Sequence, residues 1–436
     1  MALSISMLVV SCVSIVIFTA LNLTVKIKKI KIHLYWIVPA ICALVLLSVG
    51  EVSWAQFGEH LTNASNMNPL KVLALFLSMS ALSVFLDQAG LFRYLASRAL
   101  KSASASQIKL FVALYFVIAI LTLVTSNSTI ILTFTPFICY FAKNSGINPI
   151  PFLFTEFVSA NTWSMFFLIG NTTNTYIASA FNISFIEYTA MMALPTIFAS
   201  ITSFAILFLM FKKDLKQPLS AAQLDVEIKN KPALIVGVVG MTVCTLLLII
   251  SSYIGLQMWL ISLICASTVM IVGTICYLCK KQGLKKIGKT LRRMPWHLAP
   301  FLLSMYVIVM SLDNSGVTDI ISKTVFNNNL PILTFGGLSA LVSNFMNNIP
   351  MSILFANILL PLEGKALVGG IYATVIGSNL GNMITPIASM SAIMFRSVIK
   401  HKHVTFTFLD FVKKGFWLAT TTLFAALGGL AIMMII

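Results

Sequence analysis

One element is written twice in this chain. Leu77-Ser78-Met79 with Leu86-Asp87 and Gly90 recurs as Leu303-Ser304-Met305 with Leu312-Asp313 and Gly316, every position displaced by the same 226 residues. In a chain of 436 residues, that separation divides the protein into two halves of similar length with one fold. Where two such halves are membrane helices running in opposite directions, the architecture is that of a secondary transporter, with the substrate site where the copies meet.

The membrane follows from composition. With 58% hydrophobic and 9% charged residues, the chain has too little polar surface to cover a soluble globule of its size. Many apolar stretches of about 17–25 residues are long enough to cross about 30 Å of hydrocarbon as helices. Only helices or closed barrels satisfy the backbone there, and no alternating strand pattern is visible. The expected class is therefore an all-α integral membrane protein. A net charge of +17 would suit nucleic acid, but the Lys and Arg sit in short loops between apolar spans and leave no basic face for it. The stretch from Ser4 to Val25 has neither a basic leading region nor a small-residue cleavage site, so it is read as a membrane helix. The seven cysteines lie almost entirely in apolar spans. Cys276-x-x-Cys279 lacks a second pair or a His, so neither a metal site nor a cofactor is expected. No convergent acid, base or metal cluster of the kind a membrane enzyme needs is visible at depth.

Orientation comes from the basic loops, which collect on the cytoplasmic side. These are Lys26–Lys31, then Arg93, Arg98 and Lys101, then 212–231, then Lys280 to Arg293, and finally Arg396, Lys400 and Lys402. Threading the spans through them puts both termini outside, together with Glu51 and Glu59. The first half (1–211) then holds helices at about 4–25, 34–50 and 70–89, a hairpin at 108–142, a broken span at 150–180 and a helix at 188–211. A cytoplasmic linker (212–231, with Pro218, Asp225 and Glu227) leads to the second half (232–436). There the order repeats as 232–254, 257–278, 297–312, a hairpin at 330–361, a broken span at 366–398 and a helix at 415–436. The first copy of the duplicated element runs outside to inside and the second inside to outside, so the repeat is inverted.

The hairpins and broken spans carry the chemistry. Between Lys109 and Lys143 there is room for two helices of about 16 residues, too short for two full crossings at 1.5 Å per residue, so the segment is expected to dip in and return. Its tip, Thr125-Ser126-Asn127-Ser128-Thr129, is a polar run that is tolerated at depth only where it lines a cavity. The second tip is Ser343-Asn344-Phe345-Met346-Asn347-Asn348-Ile349-Pro350. The spans that follow are interrupted at Ser159-Ala160-Asn161-Thr162 and Gly170-Asn171-Thr172-Thr173-Asn174, and again at Gly377-Ser378-Asn379-Leu380-Gly381-Asn382 with Thr385-Pro386. Helix breaks at matching positions offer free N–H and C=O groups to a cargo. The expected substrate contacts are Ser126, Asn127, Ser128, Asn161, Thr162 and Asn171 in the first half, and Asn347, Asn348, Ser378, Asn379 and Thr385 in the second. Thr133, Ser164 and Ser391 are read as packing residues. This set has hydrogen-bonding capacity without formal charge, which suits a small neutral polyhydroxyl or a desolvated monovalent cation better than a polyanion.

At these motifs the chain resembles the arsenite permease family, the ArsB-type members of the ion transporter superfamily, over essentially its whole length. Asn127-Ser128 through Thr135-Pro136 is similar to the family's Asn-Asp…Thr-Pro hairpin. Ala160-Asn161-Thr162 and Gly170-Asn171 stand where it has Ala-Asp-Thr and Ser-Asn. Met346-Asn347-Asn348-Ile349-Pro350, Gly377-Ser378-Asn379-Leu380-Gly381 and Ile384-Thr385-Pro386-Ile387 follow its second-half motifs, and Phe185-Ile186-Glu187-Tyr188 and Met294-Pro295-Trp296 fit further points.

The resemblance implies export of arsenite or antimonite across the inner (plasma) membrane, driven by the proton gradient or by an associated cytoplasmic ATPase subunit. A carboxylate transporter or sodium/proton antiporter of the same superfamily is the alternative. The departures share one direction: Ser128, Asn161 and Asn379 replace Asp, and Met383 replaces Lys, so titratable groups leave the core. The remaining coupling candidates are Glu156, about 7.5 Å of helix below Asn161 and expected to face a cytoplasmic vestibule, and the repeat-related pair Asp87 and Asp313, expected at helix ends.

Overall fold

The computed structural model describes the chain apart from residues 22–23, 28–29, 64–67, 103–105, 218–227, 229, 281–284, 327–329 and 436. Pro218, Asp225 and Glu227 of the expected linker, and Lys28, Lys29 and Lys281 of the basic clusters, thus lie outside the described residues. The first half is built from α1 (Ala2–Ala20), strands β1 (Thr24–Ile27) and β2 (Ile30–His33), α2 (Ile37–Val49), α3 (Trp54–Thr62), α4 (Pro69–Ala89), α5 (Leu91–Ser102), α6 (Gln107–Val124), α7 (Asn127–Ser145), α8 (Ile150–Trp163), α9 (Thr172–Ala180) and α10 (Phe185–Phe211). The second half follows as α11 (Lys231–Ile254), α12 (Met258–Cys279), α13 (Lys285–Arg293), α14 (Leu298–Asn314), α15 (Val317–Phe326), α16 (Pro331–Met346), α17 (Asn348–Leu359), α18 (Gly364–Leu380), α19 (Met390–His401) and α20 (Phe408–Met433). Among the described residues, ten helices lie on each side of the 212–231 segment.

The duplicated element is a helix because its sequence starts and stops one. Asn68 caps α4 by accepting from the Leu70 N–H at 2.9 Å, Pro69 supplies a preset φ, and Gly90 ends the helix at φ 98°. Its copy α14 ends before Gly316 at φ 73°. The halves then pack by exchange: α4 lies on α12 while α14 lies on α2, and α7 lies on α19 while α17 lies on α9, with α10 against α20 between them.

Seven helical stretches among the described residues are long and apolar enough to cross a bilayer, and α2 with α3, bent by 119°, makes an eighth. The short helices α3, α5, α13 and α15 at the ends of these spans were not legible as separate elements.

The all-α class holds, and one short element departs from the expected spans. The first helix stops at Ala20, before Val25, and residues 24–27 and 30–33 pair as antiparallel strands with Val25 opposite Ile32. Thr-Val-Lys-Ile and Ile-Lys-Ile-His are β-branched and alternate with period two, which favours strands over the last turn of a helix. The first hairpin is also longer than expected: α6 has 18 residues, about 27 Å at 1.5 Å per residue.

Candidate functional site

Four helix N-termini meet at one small cavity. Its lining comes from the first residues of α7 (Asn127, Ser128), α9 with its N-cap (Asn171, Thr172), α17 (Asn348, Ile349) and α19 with its N-cap (Ser389, Met390, Ser391), closed by Phe76 of α4 and Leu298 of α14. Both halves contribute alike. The space is about 10 Å³, roughly the size needed by one water. No charged side chain lines it. Each helix end presents roughly half a positive charge and unsatisfied N–H groups, so the site is rich in donors and positive in potential.

Local sequence sets up each end. Ser126 caps α7 by accepting from Thr129 N–H, and Ser389 caps α19 by accepting from Ala392 N–H at 3.2 Å. Asn347 caps α17 through the Ile349 N–H at 3.3 Å, from a left-handed backbone (φ 75°). The start of α9 has no such side-chain cap, and the Asn171 amide donates to Asn379 Oδ1 at 2.8 Å. The α8–α9 break folds back so tightly that a Cβ on Gly170 would sit 2.3 Å from the Ser164 carbonyl oxygen. In the second break a Cβ on Gly381 would lie 2.7 Å from the Ala340 backbone.

Behind the lining lies a second layer made by the two breaks. Asn161 donates to its own helix at Phe157 O (2.8 Å), and its Oδ1 accepts from Asn127 Nδ2 (3.1 Å) and from Ser391 Oγ (3.3 Å) of the other half. Asn379 repeats the arrangement: it donates to Val375 O (2.9 Å) and accepts from Ser164 Oγ (2.9 Å) and Asn171. The amide is what this place needs, since one residue must give a hydrogen to a carbonyl four residues back and accept from the opposite half. A carboxylate would face that carbonyl without a donor.

Of the expected contacts, Asn127, Ser128, Asn171 and Asn348 line the cavity. Asn161, Ser378 and Asn379 are fully buried one layer back, with Ser378 held by Thr173 across the halves at 3.1 Å. Ser126 and Asn347 act as caps. Thr162 is buried without a side-chain partner among the described residues, and Thr385 donates to Asn344 Oδ1 at 2.6 Å, away from the lining. Thr172, Ser389 and Ser391 were not expected as contacts, although the signal was present: Asn161 to Asn379 and Asn171 to Ser389 share a displacement of 218 residues, which places 389–391 opposite 171–173. Asn348 and Thr172 are 3% and 6% exposed and make no side-chain hydrogen bond among the described residues.

The three acids separate. Glu156 does not face a vestibule: it is fully buried and, among the described residues, its side chain accepts from Thr135 Oγ1 at 3.0 and 3.1 Å. Next to it in sequence, Phe157 packs on Phe395 of α19 and Phe411 of α20, with ring centroids 5.0 and 5.2 Å away. Asp87 is buried and paired with Arg293, whereas Asp313 is exposed and accepts from Thr318 at 2.6 Å.

Comparison with known proteins agrees with this architecture. The family model described as citrate transporter (CitMHS) matches residues 27–368. The arsenical pump membrane protein of Escherichia coli is 28% identical over 377 residues, 82% of this chain and 85% of the relative. The putative arsenical pump membrane protein of Bacillus subtilis is 24% identical over 400 residues, covering 85% and 88%. Among solved structures, the Alcanivorax borkumensis YdaH transporter, whose topology is described as unusual, superposes with a TM-score of 0.59 at 13% identity, covering 99% of this chain and 97% of that one.

Proposed function

Because the chain belongs to the citrate transporter family and is a multi-pass membrane transporter, we propose that it exports arsenite, antimonite or a similarly small oxygen-rich solute from the cytoplasm by alternating access. The observation that carries this reading is the uncharged, donor-rich cavity between the four N-termini, in which Asn348 and Thr172 hold unused hydrogen-bonding groups. Arsenite as As(OH)3 is neutral and offers three hydroxyls to such groups when the cavity, here the size of one water, widens during the alternating-access cycle. No cysteine lines the cavity, and thiolate ligation would hold the cargo too tightly for release. The relatives named as arsenical pumps point the same way. One observation favours a second reading: four positive helix ends without a lining carboxylate also suit a small carboxylate anion.

Thermal shift of the purified protein with arsenite, antimonite and dicarboxylates separates them. Stabilisation by the first two, roughly 3- to 10-fold weaker binding in Asn348→Ala, and affinity that stays flat between pH ~5.5 and ~8, where no lining group titrates unperturbed, would support the first reading. Stabilisation by dicarboxylates alone would replace it with the second.

The orientation proposed is N- and C-termini outside, with 1–211 and 232–436 as inverted repeats joined by the 212–231 linker and both hairpins re-entrant in the plasma membrane. The contacts support it side by side. Arg293 meets Asp87, both assigned to the cytoplasmic face. Asn314 meets Glu51 O and Gln56 at 3.0 Å, all assigned outside. A pocket of about 210 Å³ gathers Lys71, Asn182, Ser184, Gly255 and Trp259, the ends of five segments that the basic loops put outside. Single cysteines in the 279–293 loop labelled from outside would overturn this orientation. For coupling we assign Glu156, the fully buried acid with no cation partner among the described residues. Glu156→Gln should abolish gradient-driven flux in vesicles while leaving substrate binding intact, and an undiminished flux would remove Glu156 from the mechanism.

A further inference from the structure

We propose that the flank formed by α4, α12 and α13 is a specific site for an anionic phospholipid, independent of the cargo. A groove of about 480 Å³ runs between α4 and α12, walled by Leu77 and Ala81 on one side and by Leu263, Met270 and Ile271 on the other. From Leu263 to Thr274 it extends about 16 Å along α12 at 1.5 Å per residue, close to the depth of one leaflet of a hydrocarbon core about 30 Å thick. One end is crossed by α13, whose Ile287 and Leu291 join the lining together with Met294 and Trp296 just beyond. Trp296 is about half exposed at 51%, the placement of an interfacial tryptophan.

The helix at the rim of this apolar groove is strongly basic. The helix Lys-Lys-Ile-Gly-Lys-Thr-Leu-Arg-Arg has no acid. Arg293 is committed to Asp87, but Lys286, Lys289 and Arg292 form no ion pair among the described residues, and the last two are exposed. An acyl chain satisfies the groove and a phosphate headgroup satisfies the rim. A zwitterionic lipid supplies the same chain but no net charge, so charge complementarity selects the anionic one.

Native mass spectrometry of the full-length protein, offered phosphatidylglycerol and phosphatidylcholine in equal amounts, tests this. The protein should retain one phosphatidylglycerol with a preference on the order of tenfold, and the K286Q/K289Q/R292Q variant should bring it to within about twofold. The charge-preserving K286R/K289R variant should keep it, and R93Q/R98Q, on α5, should leave it unchanged. Ser267→Trp, at an exposed groove position, should displace the lipid without altering folding, and carries the test if the triple variant fails to fold. Equal retention of both lipids by the unmodified protein, or phosphatidylglycerol still held by Ser267→Trp, would overturn the proposal.

Discussion

Asp87 and Asp313 occupy one position in the two copies of the duplicated element, yet the first is 3% exposed against an arginine while the second lies open beside a threonine. The difference originates in the short helices that precede the copies. Helix α13 has five basic residues among its nine and delivers Arg293 to α4. Its counterpart α3 reaches α14 through neutral bonds instead, Gln56 to Asn314 and His60 to Tyr306, each at 3.0 Å. Both halves are therefore fastened to the opposite half at the same place, ionically on one face and by neutral hydrogen bonds on the other. The duplicated scaffold keeps its geometry, and the connecting helices have taken the chemistry of their own side. The hairpin tips differ in a similar way: Ser126 caps from ordinary backbone at φ −84°, Asn347 from φ 75°.

The largest effects should come where the copies agree. Gly170→Ala and Gly381→Ala each force a Cβ against backbone and should cost towards the upper end of about 1–3 kcal/mol, Gly170 more because its contact is closer. Wild-type melting temperatures in both would mean that neither break is tightly packed. The paired acids come next. Asp87→Asn should destabilise by about 1–3 kcal/mol, discounted for the partly exposed arginine, and Asp313→Asn by less than about 0.5 kcal/mol. Arg293→Gln should match Asp87→Asn, with little further loss in the double variant; equal melting of the two Asp variants would erase the contrast.

Effects at the site should depend on the layer. Asn161→Ala and Asn379→Ala strand buried partners and should each cost about 1–3 kcal/mol. Asn348→Ala and Thr172→Ala break no internal bond, so their melting should stay within about 0.5 kcal/mol while ligand affinity falls roughly 3- to 10-fold. The reverse ranking would move the site one layer inward. The smallest contrast has opposite signs. Asn347→Gly relieves a left-handed backbone and should stabilise by up to about 0.5 kcal/mol after losing its cap, whereas Ser126→Gly should destabilise by a few tenths. Two shifts of one sign in denaturant melts would show that φ at Asn347 carries no strain.

Much of this was legible in order and composition. Apolar length marked the spans, the polar runs marked the tips and breaks, and four of the eleven residues that line the cavity, Asn127, Ser128, Asn171 and Asn348, were among the expected contacts. What was not legible was depth order. Asn161 and Asn379 carry the same side chains as the lining asparagines, and only their position four residues above their own carbonyl acceptors turns them inward to brace the neighbours. Ser391 was read as packing because its role depends on α19 crossing to α8.

The sequence by itself determined the membrane class, the duplication and the segments where helices must break, since hydropathy, spacing and helix-stopping residues act locally along the chain. The tertiary structure decided which helix ends share a cavity, which of two identical acids is buried and which apolar flank stays open. Those outcomes are set by contacts between residues about 200 positions apart, such as Arg293 with Asp87 and Asn171 with Asn379, and no local pattern encodes such a distance.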